Sequence, residues 1–347
     1  MRNVTLISLL SINSLYHSPF ITKSPNSMKS ILTICNSRFI KQFSNIYRSE
    51  KAKESLNLLK SDFKQTLQPV IHISQSEFED DLDEGSSFQT ENIKLAGFKQ
   101  TLIMHKRNLD IDQCSFTGCM GKMGGAIHIE KSHSIQISRA SFEGNSADVG
   151  GAGHFLGIIS FKLKDSKFNT NYAKYYGALM VDGKEKPVNF SISVVNFTNN
   201  RAELWGAALR LDRCGGDIRC TYFVKNIALV SGAFFDFSCK PNTRSITRCC
   251  FLSNNCTSRA AVTCFHLLQE STYTKCIFAK NYCEKKPNSI EIQSINTKIT
   301  LQNCVFEGTK ETEIGMKFNY SEFIVQDSEF GTVIQDYSKF LGNLYWV

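Results

Sequence analysis

A phenylalanine that recurs every 24 to 29 residues restricts the possible folds of this chain more than any other feature of its sequence. Nine copies carry the period: Phe116, Phe142, Phe168, Phe197, Phe223, Phe251, Phe278, Phe306 and Phe330. Three residues after six of them stands an asparagine: Asn145, Asn171, Asn200, Asn226, Asn254 and Asn281. Nine residues after seven of them stands a small residue, as at Gly125 and Gly151. Fixed internal offsets within a period of about 20–50 residues are typical of solenoids, in which each repeat packs on its neighbours.

The residues between these markers alternate between apolar and polar. Residues 127–130 are Ile-His-Ile-Glu, and residues 134–138 are Ser-Ile-Gln-Ile-Ser. A period of two predicts strands, whereas helical repeats would need apolar residues about 3.6 positions apart. Short strands within a repeat of this length predict an all-β fold, a single-stranded right-handed parallel β-helix of about nine or more coils with 24–29 residues each.

Each marker has an expected role in such a coil. The phenylalanine points inward and stacks on its equivalents, and burial of each ring contributes about 1.5–3 kcal/mol. The asparagine is expected in a turn whose left-handed backbone it tolerates, with its amide bonded to the next one in an asparagine ladder. Glycine pairs such as Gly124-Gly125 mark a corner that needs either a positive φ or a close approach of two backbones.

The repeat divides the chain into four predicted segments. Residues 1–69 form an irregular N-terminal segment, 70–113 hold early irregular coils with an acidic loop, 114–334 form the β-helix, and 335–347 form a C-terminal cap. Apolar residues within 49–67 follow helix-like spacing, so we expect a short helix that plugs the N-terminal end, with a strand as the alternative.

The N-terminus carries a short apolar stretch, residues 4–10, behind Arg2. A secretory signal has a basic start, about 7–15 apolar residues and a small-residue cleavage site, and this stretch matches that pattern poorly. A strand of the fold and a truncated start are the alternatives. No apolar run approaches roughly 18 residues, the length of a membrane-spanning helix, so we expect no transmembrane segment and no membrane anchor.

The 13 cysteines follow the repeat as well. Cys249, Cys276 and Cys304 each lie two residues before a repeat phenylalanine, which predicts an inward column of buried thiols, with disulfides as the alternative. Cys256 and Cys283 each lie five residues after one, in a turn, and are the better candidates for a disulfide, because stacked coils bring equal offsets within the Cα separation that disulfides allow. Structural zinc is not expected, since the sequence contains no Cys-x-x-Cys pair.

Five Asn-x-Ser/Thr sequons make glycosylation a further expectation: Asn3, Asn189, Asn196, Asn255 and Asn319. Asn196 and Thr198 flank the inward Phe197, so both should face solvent, as a glycan requires. An asparagine-rich repeat also generates sequons by chance, and the sequons therefore support secretion only weakly.

Ionisable residues occupy the outward positions that follow the glycine corners: His128, Glu130, His154, Asp182, Arg210, Asp212 and Asp236. Cleavage of a sugar bond needs two carboxylates about 5–9.5 Å apart, and Asp182 and Asp212 hold equivalent positions in successive coils. His128 and His154 also share an offset and could bind a metal with Glu130, although two surface histidines are the simpler interpretation. Because the row is mixed in charge and lacks the motifs of polygalacturonases, we predict no catalytic, cofactor-binding or metal-binding residue.

The charge pattern excludes other functions. The net charge of +8 is dispersed, and no zinc finger, basic zipper or RNA-binding aromatic motif accompanies it, so nucleic acid is not an expected partner. The longest charge run has six acids within residues 77–84, but Leu82 interrupts the alternation that a calcium loop needs. A solvated loop is therefore favoured there.

The corner motif Gly124-Gly125-Ala126-Ile127, combined with the Phe-x-x-Asn motif, resembles the repeats of bacterial polymorphic outer membrane proteins. Similar repeats occur in predicted right-handed β-helix surface proteins of anaerobic protists. The resemblance covers about 114–334. It implies a secreted or surface-exposed protein, and several bacterial members are adhesins.

We therefore expect a non-enzymatic secreted or cell-surface β-helix glycoprotein, a monomer without cofactor, that serves as a scaffold for adhesion or recognition. Its expected partner is a host or matrix protein or a glycan. The alternative is a polysaccharide-binding or polysaccharide-cleaving β-helix protein of the pectate-lyase-like class, which stacked outward acids or aromatic residues in a groove would favour. A structural relic without an independent role is a third alternative. The function rests on analogy with the fold and the family.

Overall fold

A computed structural model of the chain describes backbone and side chains over 108–333, except at 185, 235–242, 265–269, 286 and 318–319, where at most the backbone of a strand is described. Before 108 it describes the backbone of the strands given below. The predicted C-terminal cap, the acidic loop and Asn319 lie outside the described residues.

The described chain is a parallel β-solenoid, which confirms the predicted fold class. Every pair of neighbouring strands among the described residues is parallel, and the coils build three sheets, which we call A, B and C. One coil shows the path: Ser134–Ser138 and Ser141–Glu143 lie in sheet A, Ser146–Val149 in sheet C and Gly153–Leu156 in sheet B, and the chain then re-enters sheet A at Ser160.

The strand bounds follow this order throughout. Sheet A contains Arg2–Ile7, Leu10–Ile12, Ser30–Cys35, Arg38–Ile40, Ser55–Leu59, Asp62–Lys64, Ser87–Glu91, Lys94–Ala96, Asn108–Asp112, Ser115–Thr117, Ser134–Ser138, Ser141–Glu143, Ser160–Asn169, Val188–Thr198, Cys214–Arg219, Tyr222–Val224, Asn242–Thr247, Cys250–Leu252, Gln269–Thr274, Ile277–Ala279, Lys298–Gln302, Val305–Phe306, Glu322–Gln326 and Glu329–Phe330. Sheet B contains Ile21–Lys23, Tyr47–Glu50, Ile71–Ser74, Leu102–His105, Ile127–Glu130, Gly153–Leu156, Leu179–Asp182, Leu209–Asp212, Phe234–Phe237, Thr263–His266, Ile290–Ile292 and Ile314–Met316. Sheet C contains Met120–Met123, Ser146–Val149, Tyr172–Ala173, Arg201–Ala202, Ile227–Ala228, Asn255–Cys256 and Tyr282–Cys283. A one-turn helix, Lys310–Glu313, precedes the last strand of sheet B.

The paired strands begin well before the predicted boundary at residue 114. Arg2–Ile7 pairs with Ser30–Cys35, so the apolar stretch near the N-terminus is a strand, one of the alternatives raised for it. The helix expected within 49–67 is wrong, because Ser55–Leu59 and Asp62–Lys64 are parallel strands of sheet A. Apolar residues three and four positions apart belong there to two consecutive strands, and this arrangement imitates helical spacing.

The nine repeat phenylalanines form one inward column within sheet A. Neighbouring rings stack from Phe116 to Phe330 with centroids 4.3–5.2 Å apart and planes within 18° of parallel. The first eight rings are at most 1% exposed, and Phe330 at the end of the column is partly exposed. The column is the centre of the apolar core.

Two corners of each coil use left-handed backbone. Three residues before every repeat phenylalanine, φ lies between 47° and 55°, at Gln113, Arg139, Asp165, Val194, Cys220, Arg248, Lys275, Asn303 and Asp327. Two residues after the first seven phenylalanines φ is again positive, as at Gly144 and Thr170. The left-handed residue therefore precedes the ladder asparagine, and our expectation that the asparagine itself takes this conformation is wrong.

The asparagines stack as a continuous ladder from Asn145 to Asn281. Each of the first five side-chain amides donates to the Oδ1 of the next asparagine at 2.9–3.1 Å. All six amides also donate to the carbonyl of the repeat phenylalanine in the preceding coil, such as Phe116, at 2.8–3.1 Å. The buried amides are therefore hydrogen-bonded along the solenoid axis.

Candidate functional site

The outer face of sheet B gathers most of the ionisable residues that the sequence placed after the glycine corners. In strand Leu179–Asp182, for example, Leu179 and Val181 are buried in the core while Met180 and Asp182 point outward. Strand register aligns His128 with His154, Met180 and Arg210 in one row. It aligns Glu130 with Leu156, Asp182 and Asp212 in the next row.

This face is far less exposed than a surface strand normally is. His154 is 2% exposed and His128, Asp182, Arg210 and Asp212 are 5–8% exposed. The expectation that the two histidines are surface residues is therefore wrong. The side chains shield one another, because Arg213 reaches across to Asp182 and Arg210 reaches across to the Tyr176 ring, each on a neighbouring coil.

The two histidines form a direct pair. His128 Nδ1 and His154 Nδ1 are 3.0 Å apart, and the rings stack with centroids 5.0 Å apart. On its other side, His128 Nε2 lies 3.3 Å from Glu130 Oε1. Burial, followed by the charge of His128, lowers the pKa of His154 to about 3, although the Asp182 carboxylate acts in the opposite direction. His154 is therefore neutral across the physiological pH range.

Two arginines neutralise the two aspartates of the face. Arg213 Nη2 donates to Asp182 Oδ1 at 2.9 Å, and the backbone N–H of Lys184 donates to the same oxygen at 2.6 Å. Arg210 Nη2 donates to Asp212 Oδ2 at 3.2 Å, while Arg213 Nε lies 3.8 Å from Asp212 Oδ1. Burial and the nearby Asp182 raise the pKa of Asp212, and the two arginines oppose this shift.

An aromatic ledge borders this network on the corner between sheets C and B. We define the ledge as Tyr175, Tyr176 and Trp205, all partly exposed. Tyr176 and Trp205 stack with ring centroids 5.6 Å apart, and the guanidinium of Arg210 lies over the Tyr176 ring at 4.0 Å. The ledge was not predicted from the sequence, although Tyr176 and Trp205 both stand eight residues after a repeat phenylalanine.

Asp236 was expected on this face, but the backbone register does not place it there. Backbone register places it opposite the core residue Leu211, and Phe237 rather than Asp236 lies opposite Asp212. Within the described part of the chain, no three His, Cys, Asp or Glu side chains lie close enough together to hold a metal ion. His128 therefore lies between His154 and Glu130, and the three side chains do not converge on one point.

The candidate disulfide pair is reduced in the structure. Cys256 and Cys283 lie in direct register on adjacent coils, and both are buried free thiols. A hydrogen bond from Cys256 lowers the pKa of Cys283 and raises that of Cys256. In-register neighbours in a parallel sheet have parallel Cα–Cβ bonds, which do not suit the disulfide torsion of about 90°. A disulfide between these two cysteines stays a prediction.

The other group of stacked cysteines was interpreted as a column of buried thiols, and the structure agrees. Cys249, Cys276 and Cys304 are 0% exposed free thiols. Each donates to a backbone carbonyl of the preceding coil, at 3.6, 3.3 and 3.4 Å respectively. Burial raises the pKa of the Cys276 thiol well above its usual range, so this thiol stays protonated.

The sequons lie mainly on sheet A. Asn189 is exposed there, while Asn196 and Thr198 are partly exposed beside the buried Phe197. Asn255 on sheet C is partly exposed. Glycosylation of these sites stays a prediction.

After comparison with known proteins, this chain is classified by its fold alone. No family model, no curated protein and no solved structure matches this chain. Among the described residues, no helix is both long and apolar enough to cross a membrane. The class of protein that the structure defines is the parallel β-solenoid.

Proposed function

We propose that this chain is a non-enzymatic recognition scaffold, secreted or displayed at a cell surface, whose binding face is the outer side of sheet B together with the aromatic ledge. The similarity of its repeats to those of polymorphic outer membrane proteins supports the location and the adhesive role. A host or matrix protein or a glycan is the partner that this analogy suggests.

The observation that carries the proposal is the contact between Arg210 and the ledge. The guanidinium of Arg210 lies 4.0 Å from the centre of the Tyr176 ring and also binds Asp212, so one cation links the aromatic ledge to the charged network. Aromatic side chains and arginine are enriched where proteins bind partners, because they combine a large contact area with directed hydrogen bonds. The ledge supplies partly exposed rings at the edge of a rigid sheet.

The arginine pairs support a non-enzymatic role. A glycosidase needs one carboxylic acid that donates a proton and a second carboxylate that acts as base or nucleophile. Here Asp182 and Asp212 are each hydrogen-bonded to an arginine that competes with a reacting group for their oxygens. This arrangement suits a fixed surface more than proton transfer.

A second candidate function is polysaccharide binding, which the stacked rings of Tyr176 and Trp205 favour. Sugar rings pack on aromatic faces, and charged neighbours such as Arg210 and Asp212 hydrogen-bond to hydroxyl groups. A polysaccharide-cleaving activity of the pectate-lyase-like class is the weaker form of this alternative.

A binding experiment tests the face. The purified chain is applied to arrays of matrix proteins and of glycans, alongside Trp205→Ala and, as a matched control, Tyr282→Ala, which removes a 57% exposed ring on sheet C. We expect at least about a tenfold loss of binding for Trp205→Ala and none for Tyr282→Ala. Equal binding by both variants would reject the face, and glycan hydrolysis abolished by Asp182→Ala would replace the scaffold with an enzyme.

The location needs a separate measurement. Antibodies against the chain are applied to unpermeabilised cells and to the culture medium, with an internal protein as the control. Staining of intact cells or recovery from the medium supports the proposal, and signal only after permeabilisation contradicts it.

A further inference from the structure

Sheet C carries most of the large apolar side chains that are exposed among the described residues. Six of the eleven lie in or directly beside its strands: Met120, Met123, Tyr172, Ile227, Leu229 and Tyr282. Ile227 is 49% exposed and Leu229 is 42% exposed, and the two adjoin in one coil near the middle of the sheet. Exposed apolar side chains that gather on one face mark an interaction surface.

Three consecutive strands give the outer face of sheet C a regular pattern. In each of them an outward residue is followed by a buried small residue and then by a second outward residue. The three outward pairs are Arg201 and Glu203, Ile227 and Leu229, and Asn255 and Thr257. Strand register aligns the first members of these pairs in one row, so the second members form a parallel row two residues along.

A charged pair therefore adjoins the apolar pair. Arg201 and Glu203 are both exposed. Oε1 of Glu203 accepts a hydrogen bond from the hydroxyl of Tyr172 on the neighbouring coil, which holds the carboxylate on the outer face. The face thus presents one fixed anion and one cation side by side, next to two apolar side chains.

The face is complementary to itself when a second copy is related to it by a two-fold axis parallel to the solenoid. A half-turn about such an axis keeps every coil at its height and reverses the direction of its strands. The first row of one copy then lies opposite the second row of the other. Arg201 faces Glu203 of the second copy, and Ile227 faces its Leu229, while the amide of Asn255 faces a hydroxyl group. Because the interface is symmetric, each of these contacts forms twice.

A two-fold axis across the solenoid fits the same face less well. It would place Ile227 opposite its own copy, and the coils on either side would exchange. Arg201 would then face Asn255, and Glu203 would face Thr257. Both charges would lose water at the contact without gaining an opposite charge, which costs free energy.

We propose that this chain forms a symmetric dimer through the outer face of sheet C, with the two solenoids parallel. Removal of Ile227 and Leu229 of both copies from water drives the association. The contacts between Arg201 and Glu203 fix its direction. The dimer differs from the monomer expected from the sequence, and it does not depend on the recognition face proposed for sheet B.

Sedimentation velocity of the purified full chain, from micromolar to submillimolar concentrations, measures the association. We expect a reversible equilibrium between monomer and dimer. Ile227→Asp should raise the dissociation constant at least about tenfold, because each dimer contains the substitution twice. The matched control is Ile295→Asp, at a 50% exposed isoleucine outside sheet C, which should change the constant less than about twofold. A monomer at every concentration, or equal constants for the two variants, overturns the proposal.

Charge reversal tests the parallel arrangement. Arg201→Glu and Glu203→Arg each place like charges opposite one another, so each variant alone should associate at least about tenfold more weakly than the native chain. An equimolar mixture of the two variants restores both contacts between opposite charges and should dimerise to within about threefold of the native affinity. Lys162→Glu, at an exposed lysine of sheet A, is the control and should dimerise like the native chain. A mixture that associates no better than its components refutes the parallel dimer.

Discussion

Asn200 joins three consecutive coils through one side chain, because its Nδ2 donates both to Asn226 Oδ1 and to the carbonyl of Phe168 at 3.0 Å each. Its Oδ1 in turn accepts the backbone N–H and the Nδ2 of Asn171, also at 3.0 Å. Every polar atom of this 0% exposed side chain is thus satisfied by a neighbouring coil.

Replacement of Asn200 by alanine should destabilise the solenoid strongly. Asn200→Ala leaves two donors of Asn171 and the carbonyl of Phe168 buried without these partners, and each such group costs about 1–3 kcal/mol. We expect the free energy of unfolding to fall by about 3 kcal/mol or more in urea titrations. Asn196→Ala, at a partly exposed asparagine of the same coil, should change it by less than about 0.5 kcal/mol. Equal effects of the two substitutions would show that the ladder carries no special stability.

Val194 occupies an unfavourable backbone conformation. Its φ is 55° at a corner where the other coils place residues such as Asn303, and a β-branched side chain is strained there. Because the side chain is 36% exposed, its replacement loses few packing contacts and costs little free energy of unfolding. Val194→Asn should therefore raise the free energy of unfolding by about 1 kcal/mol in the same titrations. Val195→Asn, one residue later and fully buried, should lower it, and a gain from that control would contradict the explanation.

The sequence predicted the coils because the strongest determinant of the fold is local and periodic. Alternation around Ile127 and Ile129 distinguishes strands from helices, and the constant offset between Phe197 and Asn200 requires in-register stacking. The coils before residue 70 were missed, and those within 70–113 were expected to be irregular, because the markers are sparse there. Phe63 lies in register with Leu95, which in turn lies in register with Phe116, so leucine replaces phenylalanine in that coil.

The candidate site was less predictable than the fold. The alternation of apolar and polar residues correctly placed His154 and Asp212 on one outer face. Burial of that face, however, depends on the way in which extended side chains from different coils cover one another. Asp236 was misplaced because sheet B begins 12 residues after Phe197 but 11 residues after Phe223, so equal offsets from the phenylalanine do not share a face in these two coils.

Substitution of a phenylalanine in the middle of the column should destabilise the protein more than substitution of the phenylalanine at its end. Phe197 stacks on Phe168 and Phe223, whereas Phe330 has only Phe306 as a described stacking neighbour and is partly exposed. Phe197→Ala should lower the free energy of unfolding by about 3–5 kcal/mol because it leaves a cavity in the core. Phe330→Ala should lower it by less than half as much. Equal losses for both substitutions in urea titrations would show that stacking within the column does not set its stability.

The lowered pKa of His154 links the stability of the solenoid to pH. The folded protein holds this histidine neutral down to about pH 3, whereas the unfolded chain protonates it near pH 6.5. As the pH falls below 6.5, the unfolded state therefore binds the extra proton, and the free energy of unfolding should fall by about 1.4 kcal/mol per pH unit from this residue alone. His154→Gln should remove that slope between pH 6 and pH 4 in urea titrations, because the neighbouring His128, Glu130 and Asp182 are still present in the variant. His133→Gln, at an exposed histidine, should keep the slope of the native chain, and the same slope in all three proteins would mean that His154 titrates normally in the folded state.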